Sequence, residues 1–166
     1  MNVFEFAMQM EKDGEAYYRK MAEQADNVIL VKVLQQLAED EVRHYNIFKK
    51  FRDGDFYDIA EFVSTGTTVM KNAKNVFQQL SDSGQQFAFG DDVVDTWKEA
   101  QAVEKKSEDF YREKAEAESN EEIKKTLNII ADEEHKHWAL IDNILQFLDR
   151  PKQWLENAEW NQLDNY

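Results

Sequence analysis

Glutamates stand on the seams where this chain's helical stripes are otherwise apolar, and they do so in two copies of one pattern. Ala7, Glu11 and Tyr18 are followed by Glu41 and His44; Ala100, Glu104 and Tyr111 are followed by Glu134 and His137. The offset between copies is 93 throughout, since 104 − 11, 111 − 18, 134 − 41 and 137 − 44 all agree. Glu41 and His44 are three apart, so both project from one helix face, and Glu134 with His137 repeat the arrangement. A carboxylate that can bridge, beside an imidazole that binds one ion, is a natural ligand pair from one turn of helix. Glu11 and Glu104, from the other two helices, can each close off one ion from the opposite side. Without compensation, each buried carboxylate would cost several kcal/mol or take up a proton. Two ferrous ions bring four positive charges against the four negative ones. Mixed oxygen and nitrogen ligands with open positions suit iron or manganese, with zinc as a substitute. One Glu-x-x-His on a helix is a weak signal; two in register, each on an apolar seam, are a specific one.

Around these six residues stand others whose types fit supporting parts. Tyr18 and Tyr111 lie two helical turns beyond Glu11 and Glu104 on nearly the same face. A buried phenol needs a partner, and a bridging glutamate oxygen is the expected one. Gly14 in mid-helix costs roughly 1 kcal/mol relative to Ala; either it leaves room beside the metals or it lets two helices approach closely. Asp40 and Glu133 immediately precede the Glu-x-x-His pairs. They either orient a histidine on the facing helix, as carboxylates behind metal ligands do, or are solvated surface acids. His135 falls off the seam and is expected to be exposed. Trp97, Trp138, Phe48 and the methionines read as packing residues, and no catalytic group is expected beyond the ligands.

Four long segments must position these groups, each with apolar residues at steps of three and four. The first runs through Phe4, Ala7 or Met8, Glu11, Tyr18, Met21 or Ala22, and Ala25. The second runs through Leu30, Leu34, Leu37, Glu41, His44, Phe48 and Phe51. The third, with Asp91 and Asp92 as caps, runs through Val93, Trp97, Ala100, Glu104 and Tyr111. The fourth runs through Ile123, Leu127, Ile130, Glu134, His137, Ile141, Leu145 and Leu148. Short turns at Asp26–Asn27 and Ser119–Asn120 make each pair an antiparallel hairpin. The expectation is an all-α, antiparallel four-helix bundle over residues 1–150. Its hairpins span about 3–52 and 92–149, joined by a crossover of about 53–91. The crossover holds a short helix striped by Val69, Ala73, Val76 or Phe77, and Leu80, and the run SDSGQQFAFGDD reads as loop. After Pro151 the tail 151–166 carries Trp154, Leu155, Trp160, Leu163 and Tyr166, expected to dock on the bundle or on a neighbouring subunit.

Composition narrows the function. At 166 residues the chain fits one domain, and five glycines with one proline favour long helices. A formal charge of −14 argues against a nucleic-acid backbone or an anionic membrane surface as partner. With no cysteine there is no disulfide, zinc–thiolate site, thiol nucleophile or Cys-ligated iron–sulfur cluster. The opening MNVFEFAMQMEKDG has no basic start and breaks its apolar run with Glu5, so no signal peptide is expected and cytoplasmic residence is. No stretch reaches the length that spans a bilayer.

The two hairpins with their Glu, Glu-x-x-His and Tyr residues resemble the ferritin-like di-iron carboxylate superfamily, most closely its rubrerythrin-like branch lacking the rubredoxin domain. The resemblance covers about residues 3–52 and 92–149. It implies two iron ions per chain, with Glu41 and Glu134 bridging, Glu11 and Glu104 terminal, and His44 and His137 each capping one ion. It further implies an oxidoreductase of peroxidase or ferroxidase type that meets hydrogen peroxide or dioxygen, in a small oligomer such as a homodimer. The alternative in the superfamily is a non-catalytic iron-binding or storage protein, which assembles into a hollow cage. Two features depart from the family. No cysteine is present to hold a rubredoxin-type iron centre, so electrons are expected from a separate, rubredoxin-like donor. Ser107 stands where rubrerythrins usually place a further glutamate, and Glu108 is turned about 100° from it; the redox-linked exchange of ligands lacks its glutamate here.

Overall fold

The computed structural model describes residues 2–56, 61–62, 66–67, 69, 73–82 and 91–149. Helix α1 spans Val3–Gln24, α2 Val28–Arg52, α3 Ala73–Asp82, α4 Asp91–Ala117 and α5 Glu121–Asp149. No strand occurs among the described residues. At 1.5 Å per residue the four long helices are about 33–44 Å in length, enough to carry an apolar layer on each side of a central polar one.

Local chemistry sets where the helices begin and end. Asn2 opens α1 with a capping box: its side chain accepts from Glu5 N while the Glu5 carboxylate accepts from Asn2 N. Asn27 accepts from Ile29 N and Leu30 N at the start of α2, and Asn120 accepts from Glu122 N and Ile123 N at the start of α5. Lys49, Lys50 and Arg52 in the last turn of α2 face the negative end of its dipole. Gly54, at φ 73°, turns the chain away there. Asp91 and Asp92 lie inside the first turn of α4 instead of before it, and Ser81 and Asp82 close α3. The loop run expected between them is therefore helical at both ends.

The helices pair as two hairpins, α1 with α2 and α4 with α5, and α1 also lies against α4 and α2 against α5. Two apolar clusters fill the bundle. One gathers Tyr18, Leu30, Leu34, Leu37, Trp97, Leu140 and Ile144 with Val69, Ala73, Phe77 and Leu80 of the crossover. The other gathers Ala7, Met8, Phe48, Phe51, Tyr111, Ile123, Leu127 and Ile130. Along every long helix the Glu or Glu-x-x-His residues fall between the stretches that enter these clusters. The seam positions named from the sequence are buried in α2 and α5, but Val93 at the start of α4 is 38% exposed. Its neighbour Val94 packs against the first cluster instead. The tail's aromatic residues lie outside the described residues.

Candidate metal centre

Between the two apolar clusters, the bundle turns six titratable side chains inward. Glu11, Glu41, His44, Glu104, Glu134 and His137 are each at most 5% exposed. They form two overlapping groups, Glu11–Glu41–His44–Glu134 and Glu41–Glu104–Glu134–His137, each with one ligand atom per residue and all such atoms within 4.8 Å of one another. Glu41 and Glu134 belong to both. All six positions expected from the sequence are thus brought together.

The histidines are oriented from behind. His44 Nε2 lies 2.6 Å from Glu133 Oε2, and His137 Nε2 lies 2.9 Å from Asp40 Oδ2. In the neutral imidazole, donation from each Nε2–H turns the Nδ1 lone pair towards the cluster, the tautomer a metal ligand requires. Of the two readings open for Asp40 and Glu133, the geometry selects the first: each holds a histidine of the facing helix.

Three residues that carried no signal in the pattern complete this backing. Arg43 clamps Glu133 with Nη1 at 3.2 Å and Nη2 at 2.8 Å, and its Nη1 lies 3.6 Å from Asp40 Oδ1. Phe62 covers the guanidinium at 4.3 Å from its ring centroid, and Thr67 donates to Asp40 at 2.5 Å. Arg43 lies beside His44 in sequence and could have been read from that adjacency. Phe62 and Thr67 belong to the crossover, where no periodicity marks them. Burial pushes Glu133 up, but His44 and Arg43 outweigh it and hold the carboxyl at about 2. Asp40 likewise ends below its ordinary value, His137 outweighing burial.

The tyrosines cross the bundle. Tyr18 on α1 donates to Glu104 on α4, and Tyr111 on α4 donates to Glu11 on α1. Their partners are therefore not Glu41 or Glu134, the two shared carboxylates, as the sequence led us to expect. Both phenols project into the α1–α4 layer, whereas the shared pair stands on α2 and α5. Burial, and then the neighbouring carboxylates, raise both phenols well above their usual range, so they stay protonated donors.

Gly14 makes room for the Glu41 carboxylate: a Cβ built there would come 2.6 Å from Glu41 Oε2. His135 is not simply exposed; its Nδ1 lies 3.1 Å from Glu108 Oε2, and its ring stacks on Trp138. Glu108 itself is 6% exposed and is paired with Arg112 at 3.0 Å. Its turn around the helix thus takes it out of both ligand groups.

One atom on each of the six clustered side chains lacks a hydrogen-bond partner: Glu11 Oε2, Glu41 Oε1, Glu104 Oε2, Glu134 Oε1, His44 Nδ1 and His137 Nδ1. Buried polar atoms are nearly always satisfied, so six unpartnered ones converging on one space fit a bound cation pair. Electrostatics agree. Burial first, then repulsion from the other carboxylates, raises Glu41 and Glu134 well above the ordinary carboxyl range. Burial lowers the two imidazoles, but the charges on Glu11 and Glu104 outweigh it and both are shifted well upward. Without cations the cluster must gather protons instead.

A family model described as Rubrerythrin matches residues 2–145. No curated protein and no solved structure matches the chain. The family is one of di-iron carboxylate proteins, and the buried Glu and His groups found here could hold metal. The match runs through both hairpins and through all six of these side chains, and the chain belongs to the rubrerythrin family.

Proposed function

We propose that the protein is a di-iron redox protein that reduces hydrogen peroxide or dioxygen, or oxidises ferrous iron with them, drawing electrons from an external donor. The observation that carries this reading is the convergence of six unpartnered ligand atoms in two groups that share Glu41 and Glu134. On this reading two ions would be held by Glu41 and Glu134 in common, one of them with Glu11 and His44 and the other with Glu104 and His137. Ferrous iron in such a site supplies the electrons that peroxide or dioxygen accepts, and a rubredoxin-like donor restores them.

The protein's own part is positioning and exclusion of water. Asp40 and Glu133 fix the imidazole tautomers; His137 and Thr67 keep Asp40 charged, and His44 with Arg43 keeps Glu133 charged. Tyr18 and Tyr111 hold Glu104 and Glu11 by one oxygen each, leaving the other oxygen for an ion. The two apolar clusters close the layer from above and below. The reading predicts two irons per chain after anaerobic loading, and rapid build-up of the ferric absorption when peroxide meets the reduced protein. The double variant Glu41→Ala, Glu134→Ala should hold no iron. A reduced, loaded protein that ignores both peroxide and dioxygen removes the redox reading; a wild type that retains no iron removes the metal assignment.

A further inference from the structure

A chamber of about 300 Å³, open to solvent on one side, lies between α1 and α4, and two of its lining residues, Gly14 and Tyr18, touch Glu41 and Glu104 of the cluster. Its floor and walls are Gly14, Tyr18, Ala100, Met10, Val103 and Tyr17. Asp13, Lys106 and Ser107 complete its lining, the first two of them exposed. These positions are not a random sample of the two helices. Met10 and Val103, Asp13 and Lys106, and Gly14 and Ser107 are each 93 apart, the offset that relates the two ligand sets. Three lining pairs are thus related by the offset that relates the two ligand groups, while Tyr17, Tyr18 and Ala100 extend the chamber to one side.

Small residues at both Gly14 and Ser107 create this space. Behind Gly14 stands Glu41, with its Oε2 where a Cβ would press. Of the four clustered carboxylates, Glu41 is also the most accessible: its side chain is 7% exposed, against 1–3% for the other three. Tyr18, the other part of the floor, donates to Glu104. Aromatic bridges between α1 and α4 stand at both ends of the gap. The Tyr17 hydroxyl reaches Thr96 O at 3.2 Å and Glu99 Oε2 at 3.1 Å, and Phe6 packs on Phe110 at 5.2 Å between ring centroids.

We propose that this chamber binds a small ligand with an apolar body, and that the oxidant it presents to the cluster is an organic hydroperoxide. The proposal rests on the redox reading above. Hydrogen peroxide needs little more than the ~30 Å³ share of a water molecule, whereas an apolar cavity of about 150 Å³ already admits benzene. The space here is larger than both and lined mainly by methionine, valine, alanine and aromatic carbon. In the reaction it would serve, the O–O bond of the hydroperoxide breaks. Two electrons from the ferrous pair and two protons from solvent turn it into an alcohol and water.

The test uses a redox-inert product analogue, cumyl alcohol, on metal-free protein carrying ¹³C-methyl methionine. Met10 lines the chamber, whereas Met8 packs in the apolar cluster beside Phe48. The Met10 methyl resonance should shift saturably, and that of Met8 should stay in place. Val103 is 46% exposed, so Val103→Trp can fill the chamber from its rim without disturbing the core, and Ser107→Phe is a second way to fill it. Both should weaken cumyl alcohol binding roughly tenfold or more. In the iron-loaded protein they should lower the rate with cumene hydroperoxide relative to that with hydrogen peroxide by a similar factor. Absence of a Met10 shift in the wild type, or equal binding by the filled variants, overturns the proposal. Saturable binding in a protein whose reduced iron ignores every peroxide would keep the chamber as a site for a small apolar ligand and remove both the redox reading and the hydroperoxide assignment.

Discussion

Gly14 is the residue at which packing and ligation meet most tightly. Alanine is preferred over glycine within a helix by about 1 kcal/mol, so Gly14→Ala should by itself stabilise α1. Its methyl group would, however, come 2.6 Å from Glu41 Oε2. The atom that must yield is the end of a flexible side chain, so the fold absorbs the change cheaply and the carboxylate does not stay where it was. The expected result is a metal-free protein with an unchanged or slightly raised melting temperature and a metal affinity lowered roughly tenfold, the scale of effect seen when a ligand's support is disturbed. Competition of Mn²⁺ or Zn²⁺ against a chromophoric chelator measures the second quantity, and calorimetry the first. A variant that loses stability but keeps its affinity would mean that Gly14 serves helix packing alone.

At the scale of the element, α2 and α5 each carry a five-residue run, Asp40-Glu41-x-x-His44 and Glu133-Glu134-x-x-His137, in which adjacent acids do opposite work. One turns into the cluster, and its neighbour turns to the histidine across the bundle. Glu133 is held at about 2 against an ordinary 4.5. A depressed carboxyl contributes stability that is complete above about 4.5 and is lost as pH falls towards 2. Metal-free wild type should therefore lose up to about 3 kcal/mol from this group across that window. Glu133→Gln should show a correspondingly shallower acid transition in circular dichroism. Superimposable acid transitions would show that the His44–Glu133–Arg43 contact adds nothing to folding.

The same two helices mark what the sequence made legible. Period and short turns mark the four long helices, although Asp91 and Asp92 lie inside α4 and do not cap it, and the 93-residue offset picks out all six clustered side chains. The offset could not say which carboxylate each tyrosine meets, because that depends on which two helices share a layer. Thr67 and Phe62 were out of reach for a different reason. They act from the crossover, through contacts with no periodic signature, and Arg43 was passed over because its neighbour His44 explained the local pattern already. Val93 is exposed because Val94, one position round the helix, takes the inward place in that turn, a choice that a stripe of apolar residues at steps of three and four leaves open.

Across the whole molecule, two apolar clusters stabilise a fold whose middle layer works against it. Glu41 and Glu134 titrate well above the ordinary 4.5 in the metal-free protein, chiefly through burial and then through the other carboxylates. A raised carboxyl contributes stability that is complete below about 4.5 and is lost as pH rises through the raised value. Metal-free wild type should therefore weaken from mildly acid towards alkaline pH, whereas Glu41→Gln with Glu134→Gln, of nearly the same shape, should not. Near pH 8 the double variant should be the more stable by roughly 1–3 kcal/mol. Cations displace the same protons, so metal binding should release them and tighten as pH rises. Metal at about a hundred times its dissociation constant contributes about 2.7 kcal/mol, which for a chain of this size raises the melting temperature by about 5–10 °C. That rise should occur in wild type and vanish in the double variant. The two proteins should thus exchange order, the variant melting higher without metal and the wild type higher with it. A scanning calorimeter run at pH 6 and pH 8, with and without Mn²⁺, tests the exchange directly. If the variant melts lower under all four conditions, the inward carboxylates are structural and the fold does not depend on cations to accommodate them.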